Sequence, residues 1–177
     1  MHMSFDMAGP RRIVHKGAMN LDHPAEPGAT RCLEIDHDRL DEIMLEVERA
    51  ASGGQLPEAQ ARFTVFASGL VRHIEAEETV LFPMLETHQP GAGGPISVML
   101  TEHEQFRELL EEIAALFAAR SDQWEAAVRR LKEGLLAHNT KEERMLYPMS
   151  DEMARHERKV DELAVSLRAF LEATSGG

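Results

Sequence analysis

The sequence HIEAEETVLFPM occupies residues 73–84, and HNTKEERMLYPM occupies residues 138–149. The two stretches align without gaps at an offset of 65 residues and share a His, a Glu four residues later, and a Pro. Upstream, Asp36-His37-Asp38 and Glu102-His103-Glu104 form a second matched pair, offset by 66 residues. This internal repeat predicts two copies of one unit, each with a His on a first helix and His-x-x-x-Glu on a second.

Apolar residues recur at three- and four-residue intervals along most of the chain, which is the period of amphipathic helices, and no stretch alternates like a β-strand. The predicted helices begin at Thr30, Pro57, Pro95, Ser121 and residue 150, and the second is predicted to kink near Pro83. The short connections between them place sequential helices antiparallel. The predicted fold is therefore all-α, an up-down-up-down four-helix bundle with an irregular N-terminal arm and a fifth, C-terminal helix.

The predicted domain organisation follows from the positions of the helix-breaking Gly and Pro residues. Gly and Pro interrupt residues 1–28, which we expect to form an arm laid over the domain or a loose tail. Residues 29–149 contain the repeat and form the bundle, and residues 150–177 form an amphipathic helix and tail that is also a candidate surface for a homodimer.

Composition excludes several classes of function. The 177 residues carry a net charge of −12 with no dense basic stripe, so nucleic acid is not an expected partner. Charges interrupt every apolar run before the length of about 20 residues that spans a bilayer, so no membrane association is expected. The single cysteine, Cys32, excludes an internal disulfide, and with no signal peptide in the sequence a cytoplasmic location is predicted.

The repeated polar residues lie on the apolar faces of the predicted helices. Residues four apart share one helix face, so His73 with Glu77, and His138 with Glu142, each project two ligand atoms in one direction. Two buried, unpaired carboxylates would each cost several kcal/mol, and no Lys or Arg lies on these faces to compensate them.

A pair of metal cations satisfies this requirement. The predicted ligands are four terminal imidazoles and two bridging carboxylates: His37 and His73 on one metal, His103 and His138 on the other, and Glu77 and Glu142 on both. Each metal keeps positions for a bridging oxide or hydroxide and for an exogenous ligand. This ligand set suits iron, manganese or zinc, and a carboxylate-bridged pair inside a bundle favours iron.

Residues 30–149 resemble the hemerythrin-like family of HHE cation-binding domains. The resemblance is carried by the isolated His37 and His103, by His-x-x-x-Glu before Leu-Phe-Pro, and by His-Asn-x-x-Glu-Glu before Leu-Tyr-Pro. It implies an up-down four-helix bundle with a non-haem di-iron centre. It also implies dioxygen, nitric oxide, peroxide or iron availability as the relevant chemistry.

Two departures from the oxygen-carrying hemerythrins bear on function. Those proteins use a second His four residues after the third-helix His, where this sequence has Arg107, and His-x-x-x-x-Asp where this sequence has His138-x-x-x-Glu142. The ligand set is thereby closer to the family's iron–sulfur-repair proteins and iron-sensing F-box proteins. The repair proteins usually carry an N-terminal cysteine-bearing module, which is not found in this sequence, so the resemblance does not extend the repair role to this chain.

The sequence therefore predicts a di-iron protein that binds or reduces O2, NO or peroxide in sensing, scavenging or stress protection. The alternatives are an iron-responsive protein-interaction module, an oxygen carrier and an iron store, and the residues leave open whether the protein is an enzyme.

Several neighbouring residues are given lesser roles. Glu78 and Glu143 turn about 100° from the bridging Glu and are predicted to be solvated or to cap a helix. Phe82 and Tyr147 are predicted to pack at the bundle end, although Tyr147 is within reach of a metal-bound ligand. Cys32 is not expected to be a nucleophile, and among the other His residues only His15 or His23 of the arm is considered as a cap over the site.

Overall fold

The computed structural model describes residues 28–88, 91 and 93–172, and every regular element among them is helical. The elements in chain order are α1 (Arg31–Ser52), α2 (Leu56–Ala76), a first π-helical turn (Glu77–Leu81), α3 (Phe82–His88), α4 (Gly93–Ala118), α5 (Trp124–Lys141), a second π-helical turn (Glu142–Leu146), α6 (Tyr147–Glu157) and α7 (Val160–Glu172). The all-helical prediction is confirmed. The predicted arm, apart from Gly28, and the tail after residue 172 lie outside the described residues.

Each π-helical turn begins at the Glu-Glu pair of its repeat and precedes a proline. The Phe82 N–H donates to the Glu77 carbonyl, and the Tyr147 N–H donates to the Glu142 carbonyl, so one extra residue enters each turn. Proline has no N–H to donate and its ring clashes with the carbonyl four residues earlier, which favours this local widening. The predicted kink near Pro83 is thus a π-helical turn that begins at Glu77, and such turns are frequent at functional sites.

Two apolar clusters lie on either side of the repeated polar residues. The first contains Met44, Phe63, Phe66, Phe106, Ile113 and Leu131, and the second contains Leu33, Leu81, Leu85, Ile96, Met99 and Leu146, with further members in each. On α1, His37 falls between Leu33 of the second cluster and Leu40 of the first. The polar residues therefore form a layer that apolar side chains separate from water at both ends, and electrostatic interactions are strengthened there.

The predicted C-terminal helix begins later than expected. Residues 147–157 continue the helix that carries the second repeat, and Arg158 then adopts a left-handed conformation with φ 59°. No Gly or Pro marks this break, so periodicity alone does not place it. Helix α7 buries Leu163 and Leu167 against the second cluster and contacts α1 and α2. The apolar face of α7 is therefore already used within the chain. A homodimer through this helix stays a prediction.

In the part of the chain that the structure describes, no helix combines the length and apolar content needed to cross a bilayer.

Candidate metal centre

The six residues predicted as metal ligands are brought together in one buried layer. They come from four helical segments, and each side chain is at most 7% exposed; they are His37, His73, Glu77, His103, His138 and Glu142. Their ligand atoms form two overlapping groups, one of Glu77, His103, His138 and Glu142 and one of His37, His73 and Glu142.

One half-site contains His103 and His138. Their Nε2 atoms lie 3.1 Å apart. Glu77 Oε2 lies 3.4 Å from His103 Nε2, and Glu142 Oε1 lies 2.9 Å from His138 Nε2. Four potential donor atoms from four different side chains therefore point to one small volume.

The other half-site contains His37 and His73, whose ring centroids are 4.6 Å apart. Glu142 Oε2 lies 3.5 Å from His37 Nε2, and Glu77 Oε1 lies 3.7 Å from His73 Nε2. Each carboxylate thus directs one oxygen to each half-site, which is the arrangement of a carboxylate that bridges two cations.

A second layer of carboxylates holds the outer nitrogen of every His in the cluster. Asp36 accepts from His73 Nδ1 at 3.1 Å, and Glu102 lies 2.8 Å from His138 Nδ1. Their positions repeat, because each immediately precedes the isolated His on its helix.

The remaining two carboxylates correct a prediction. Glu78 lies 2.9 Å from His103 Nδ1, and Glu143 lies 3.0 Å from His37 Nδ1, so neither is simply solvated or a helix cap. Each follows a Glu of the inner cluster, Glu77 or Glu142, and turns away from it, but toward a neighbouring helix rather than toward water. Their repetition in both halves of the sequence is the signal that would have identified them.

Basic residues support three of these outer carboxylates. Arg39 Nε donates to Asp36 at 2.6 Å, Arg107 donates to Glu78 at 2.7 Å, and Lys141 pairs with Glu102. Burial raises the pKa of each of the three carboxyl groups, but hydrogen bonds from the His and the basic partner outweigh it and lower the pKa overall. Arg107 occupies the position where the oxygen-carrying hemerythrins have another His. Its guanidinium instead donates to Glu78, the partner of His103.

The hydrogen bonds assign a tautomer to the cluster. Since each Nδ1 faces a carboxylate, the neutral imidazole carries its proton there, and the Nε2 lone pair faces inward. His103 and His138 then face each other with two lone pairs. Among the described residues, Glu77 Oε2 and Glu142 Oε1 accept no hydrogen bond although both are buried.

The charges of the inner carboxylates and imidazoles are coupled, because Glu142 lies against both His37 and His138. Burial lowers the pKa of His37, but hydrogen bonds to Glu142 and Glu143 outweigh it and raise that pKa to about 10. His138 is affected in the same way, and its pKa is raised by Glu142 above all. Burial raises the pKa of Glu142, but His138 and His37 outweigh it and hold that pKa well below its ordinary value. The donor set of imidazole nitrogens and partnerless carboxylate oxygens fits a pair of transition-metal cations.

Tyr147 enters the cluster directly. Its hydroxyl donates to Glu77 Oε1 at 2.7 Å and lies 3.3 Å from His37 Nε2 and 3.4 Å from His73 Nε2. Burial and the two nearby carboxylates raise its pKa well above the ordinary value, so the free hydroxyl stays protonated. The hydroxyl thus reaches the predicted ligand atoms themselves, in line with the prediction that Tyr147 packs at the bundle end within reach of a metal-bound ligand.

A cavity of about 20 Å3 adjoins His37, His73 and His138. Its apolar lining consists of Leu40, Phe66, Leu70, Ile74, Phe106 and Leu135, and its further polar members are Asp41 and Asn139. One water molecule needs about 10–15 Å3 by this type of measure, so the space suits a ligand of one or two heavy atoms.

Other residues considered from the sequence lie apart from the cluster. Cys32 is half-buried, and its pKa is raised by burial, so a reactive thiolate is disfavoured. His88 pairs with Glu157 at 2.8 Å. The arm residues His15 and His23 lie outside the described residues.

Comparison with known proteins gives a consistent picture. A family model described as "Hemerythrin HHE cation binding domain" matches residues 16–85 and 33–150. The iron-sulfur cluster repair protein YtfE of Enterobacter sp. (strain 638) is 34% identical over 131 residues, which are 63% of this chain and 60% of that protein. The YtfE of Cronobacter sakazakii is 39% identical over 87 residues, covering 44% of this chain and 39% of its own.

The chain thus spans about 60% of the length of the Enterobacter relative. No solved structure matches the chain.

Proposed function

The chain belongs to the hemerythrin HHE cation-binding family, and from this membership and the buried His–Glu cluster we propose that it is a di-iron protein that binds or reduces a small ligand. The ligand is O2, NO or peroxide, and the role is sensing, scavenging or stress protection. The observation that carries the proposal is the buried pair of carboxylates, Glu77 and Glu142, each of which directs one oxygen to the His37–His73 half-site and the other to the His103–His138 half-site. Leaving such oxygens without a counter-charge costs several kcal/mol, and cations between the half-sites remove that cost.

We assign the fold of residues 29–149 to the up-down-up-down four-helix bundle of this family. The packing of α1 against α2, of α4 against α5 and of α2 against α4 supports this arrangement. Residues 150–177 then form an addition, of which α7 closes the apolar cluster beyond the metal layer. A cytoplasmic location stays a prediction.

The proposed ligands divide between two irons as the geometry divides the cluster. His37 and His73 hold one iron, His103 and His138 hold the other, and Glu77 and Glu142 bridge both. Manganese or zinc fits the same donors, and iron is favoured because the family includes non-haem iron proteins and the named relatives act on iron–sulfur clusters. An iron pair supplies the electrons and the open coordination positions that binding or reducing a diatomic ligand or peroxide requires.

The side chains around the cluster fix the ligands and select the substrate. The four outer carboxylates keep each imidazole in the tautomer whose Nε2 lone pair faces inward. The apolar clusters exclude water from the layer, and the cavity beside His37, His73 and His138 admits only small molecules. Phe66 and Phe106 in its wall favour an uncharged ligand such as NO or O2 over an anion.

A second candidate is a role in iron–sulfur cluster repair, the activity named for the relatives, which are 32–40% identical over the matched segments. Under this proposal the bundle would deliver iron to, or protect, a damaged cluster. A test with an iron-depleted cluster protein as acceptor distinguishes it, since iron transfer requires loss of metal from this chain and ligand reduction does not.

The first proposal is tested by anaerobic reduction of the iron-loaded protein and exposure to NO, peroxide or air in turn. We expect rapid reaction with NO or peroxide and oxidation in air without a stable oxygenated form, because Arg107 leaves no second imidazole on that metal. A full, repeatable return to the reduced spectrum after argon purging would instead identify an oxygen carrier. Metal-dependent capture of a protein, with no reaction with these ligands, would identify an iron-responsive interaction module.

A further inference from the structure

The two halves of the repeat differ in the aromatic side chain that faces the ligands. Tyr147 follows the second bridging Glu by five residues, and Phe82 stands at the aligned position after the first. Both are buried, and both follow a π-helical turn directly. The pseudo-symmetric centre is therefore chemically unequal, with a hydroxyl on one side and a hydrocarbon ring on the other.

The hydroxyl of Tyr147 lies among the donor atoms of the His37–His73 half-site. Its distances to His37 Nε2, His73 Nε2, Glu77 Oε1 and Glu142 Oε2 are 3.3, 3.4, 2.7 and 3.4 Å. A metal bound to these four atoms at about 2.0–2.2 Å would lie within bonding reach of the phenol oxygen after a small adjustment of the ring. The phenol oxygen of Tyr147 therefore lies among the four proposed ligand atoms of this half-site.

Among the residues that the structure describes, none places such a hydroxyl at the other half-site. The Phe82 ring stacks on His103, with ring centroids 5.7 Å apart and planes 11° from parallel. The two carboxylate oxygens without a hydrogen-bond donor among the described residues, Glu77 Oε2 and Glu142 Oε1, both face this half-site. The Tyr147 hydroxyl partners the remaining oxygens of the same two carboxylates.

We propose that Tyr147 is a fifth protein ligand of the iron at the His37–His73 half-site, and that exogenous ligands bind the iron held by His103 and His138, which the cavity reaches at His138. The assignment rests on the proposed di-iron centre and deepens it. When the phenol oxygen binds a ferric ion, its proton leaves to water and the ion's charge takes its place, with no change in oxidation state. The first iron is then nearly saturated by protein, while the second keeps the open positions.

The test is a spectrum of the iron-loaded ferric protein, combined with elemental analysis. A tyrosinate bound to ferric iron gives a ligand-to-metal charge-transfer band in the visible region, and excitation into that band enhances tyrosinate ring vibrations in the resonance Raman spectrum. Tyr147 is the only tyrosine in the 177-residue sequence, so the signal has a single source. We expect the band in the wild-type protein and its complete loss in Tyr147→Phe, a substitution that Phe82 shows the repeat accommodates.

The matched control is Phe82→Leu, which alters the aromatic at the aligned position and is expected to keep the band. Nitric oxide added to the anaerobically reduced protein is the probe for the open iron, and we expect it to bind both the wild-type protein and Tyr147→Phe. Wild-type protein with iron bound but no tyrosinate vibrations overturns the ligand assignment and leaves the di-iron centre standing. Protein that binds no iron overturns both, and the wild-type Raman spectrum decides the question if a variant does not fold.

Discussion

The outer carboxylates are predicted to control metal affinity, and Glu78 offers the sharpest test. Its Oε1 lies 2.9 Å from His103 Nδ1, and its Oε2 accepts from Arg107 at 2.7 Å. Replacing Glu78 with Ala frees the imidazole to rotate and to exchange tautomers, so only part of the population presents its Nε2 lone pair to the metal. Loss of such a partner typically lowers metal affinity about 10- to 100-fold, or about 1.4–2.7 kcal/mol.

The solvent exposure of Glu78 narrows the expected loss of metal affinity. Its side chain is 24% exposed, so water can replace the lost acceptor, and we expect a loss nearer about tenfold than about 100-fold. Glu78→Gln keeps an oxygen acceptor for Nδ1 and should lie between Glu78→Ala and the wild type. Competition with a chelator of known affinity measures the loss for the weaker of the two metals.

Glu104 provides the matched control. It is an acidic residue that lies 3.7 Å from the same Arg107, but its side chain is 68% exposed and no described hydrogen bond joins it to a His of the cluster. Glu104→Ala should leave metal affinity unchanged. Equal affinities for wild-type, Glu78→Ala and Glu104→Ala protein would refute the claim that the outer carboxylates orient the ligands.

The remaining predictions concern the inner ligands and the metal-free state. Removing the metals with a chelator should lower the melting temperature, because Glu77 and Glu142 then face each other in an apolar core. Equal melting temperatures with and without metal would refute the claim that these two buried carboxylates bind metal. His37→Ala should weaken mainly one metal, whereas Glu77→Ala should weaken both, and elemental analysis after partial chelation separates the two cases. In the metal-free protein the pKa of His37 is raised to about 10, so its contribution to stability is complete below the unfolded pKa of about 6.5 and is lost as pH rises through 10. The pKa of Glu142 is lowered, so its contribution is complete above about 4.5 and is lost at lower pH. Metal-free melting temperatures should therefore be highest between about pH 4.5 and 6.5, and the gain from added metal should grow from about pH 6.5 to 10; a flat profile would contradict the coupling.

The helices and the inward position of the proposed inner ligands could be predicted because both depend on local periodicity. His73 and Glu77 are four residues apart on a face that is otherwise apolar. The second copy of the pattern, at His138 and Glu142, strengthens the prediction of ligands in both copies. The bilayer-length criterion and the absence of strand alternation needed no tertiary information either.

The outer carboxylates were missed because their role depends on contacts between helices. A rotation of about 100° from Glu77 moves Glu78 away from the bridging position, but periodicity within one helix does not reveal that α4 and His103 lie on that side. For Tyr147, reach of a metal-bound ligand was considered from the sequence, but its contact with His37 on α1, across 110 residues of sequence, could not be predicted for the same reason. The break at Arg158 was missed for a different reason, since a non-glycine residue adopts the left-handed conformation there.

The iron content of protein loaded to saturation and freed of loosely bound metal tests the dinuclear centre most directly. The paired half-sites and the two carboxylates that reach both predict two irons per chain. Full occupancy at one iron per chain would contradict the central claim that the repeat builds a dinuclear centre.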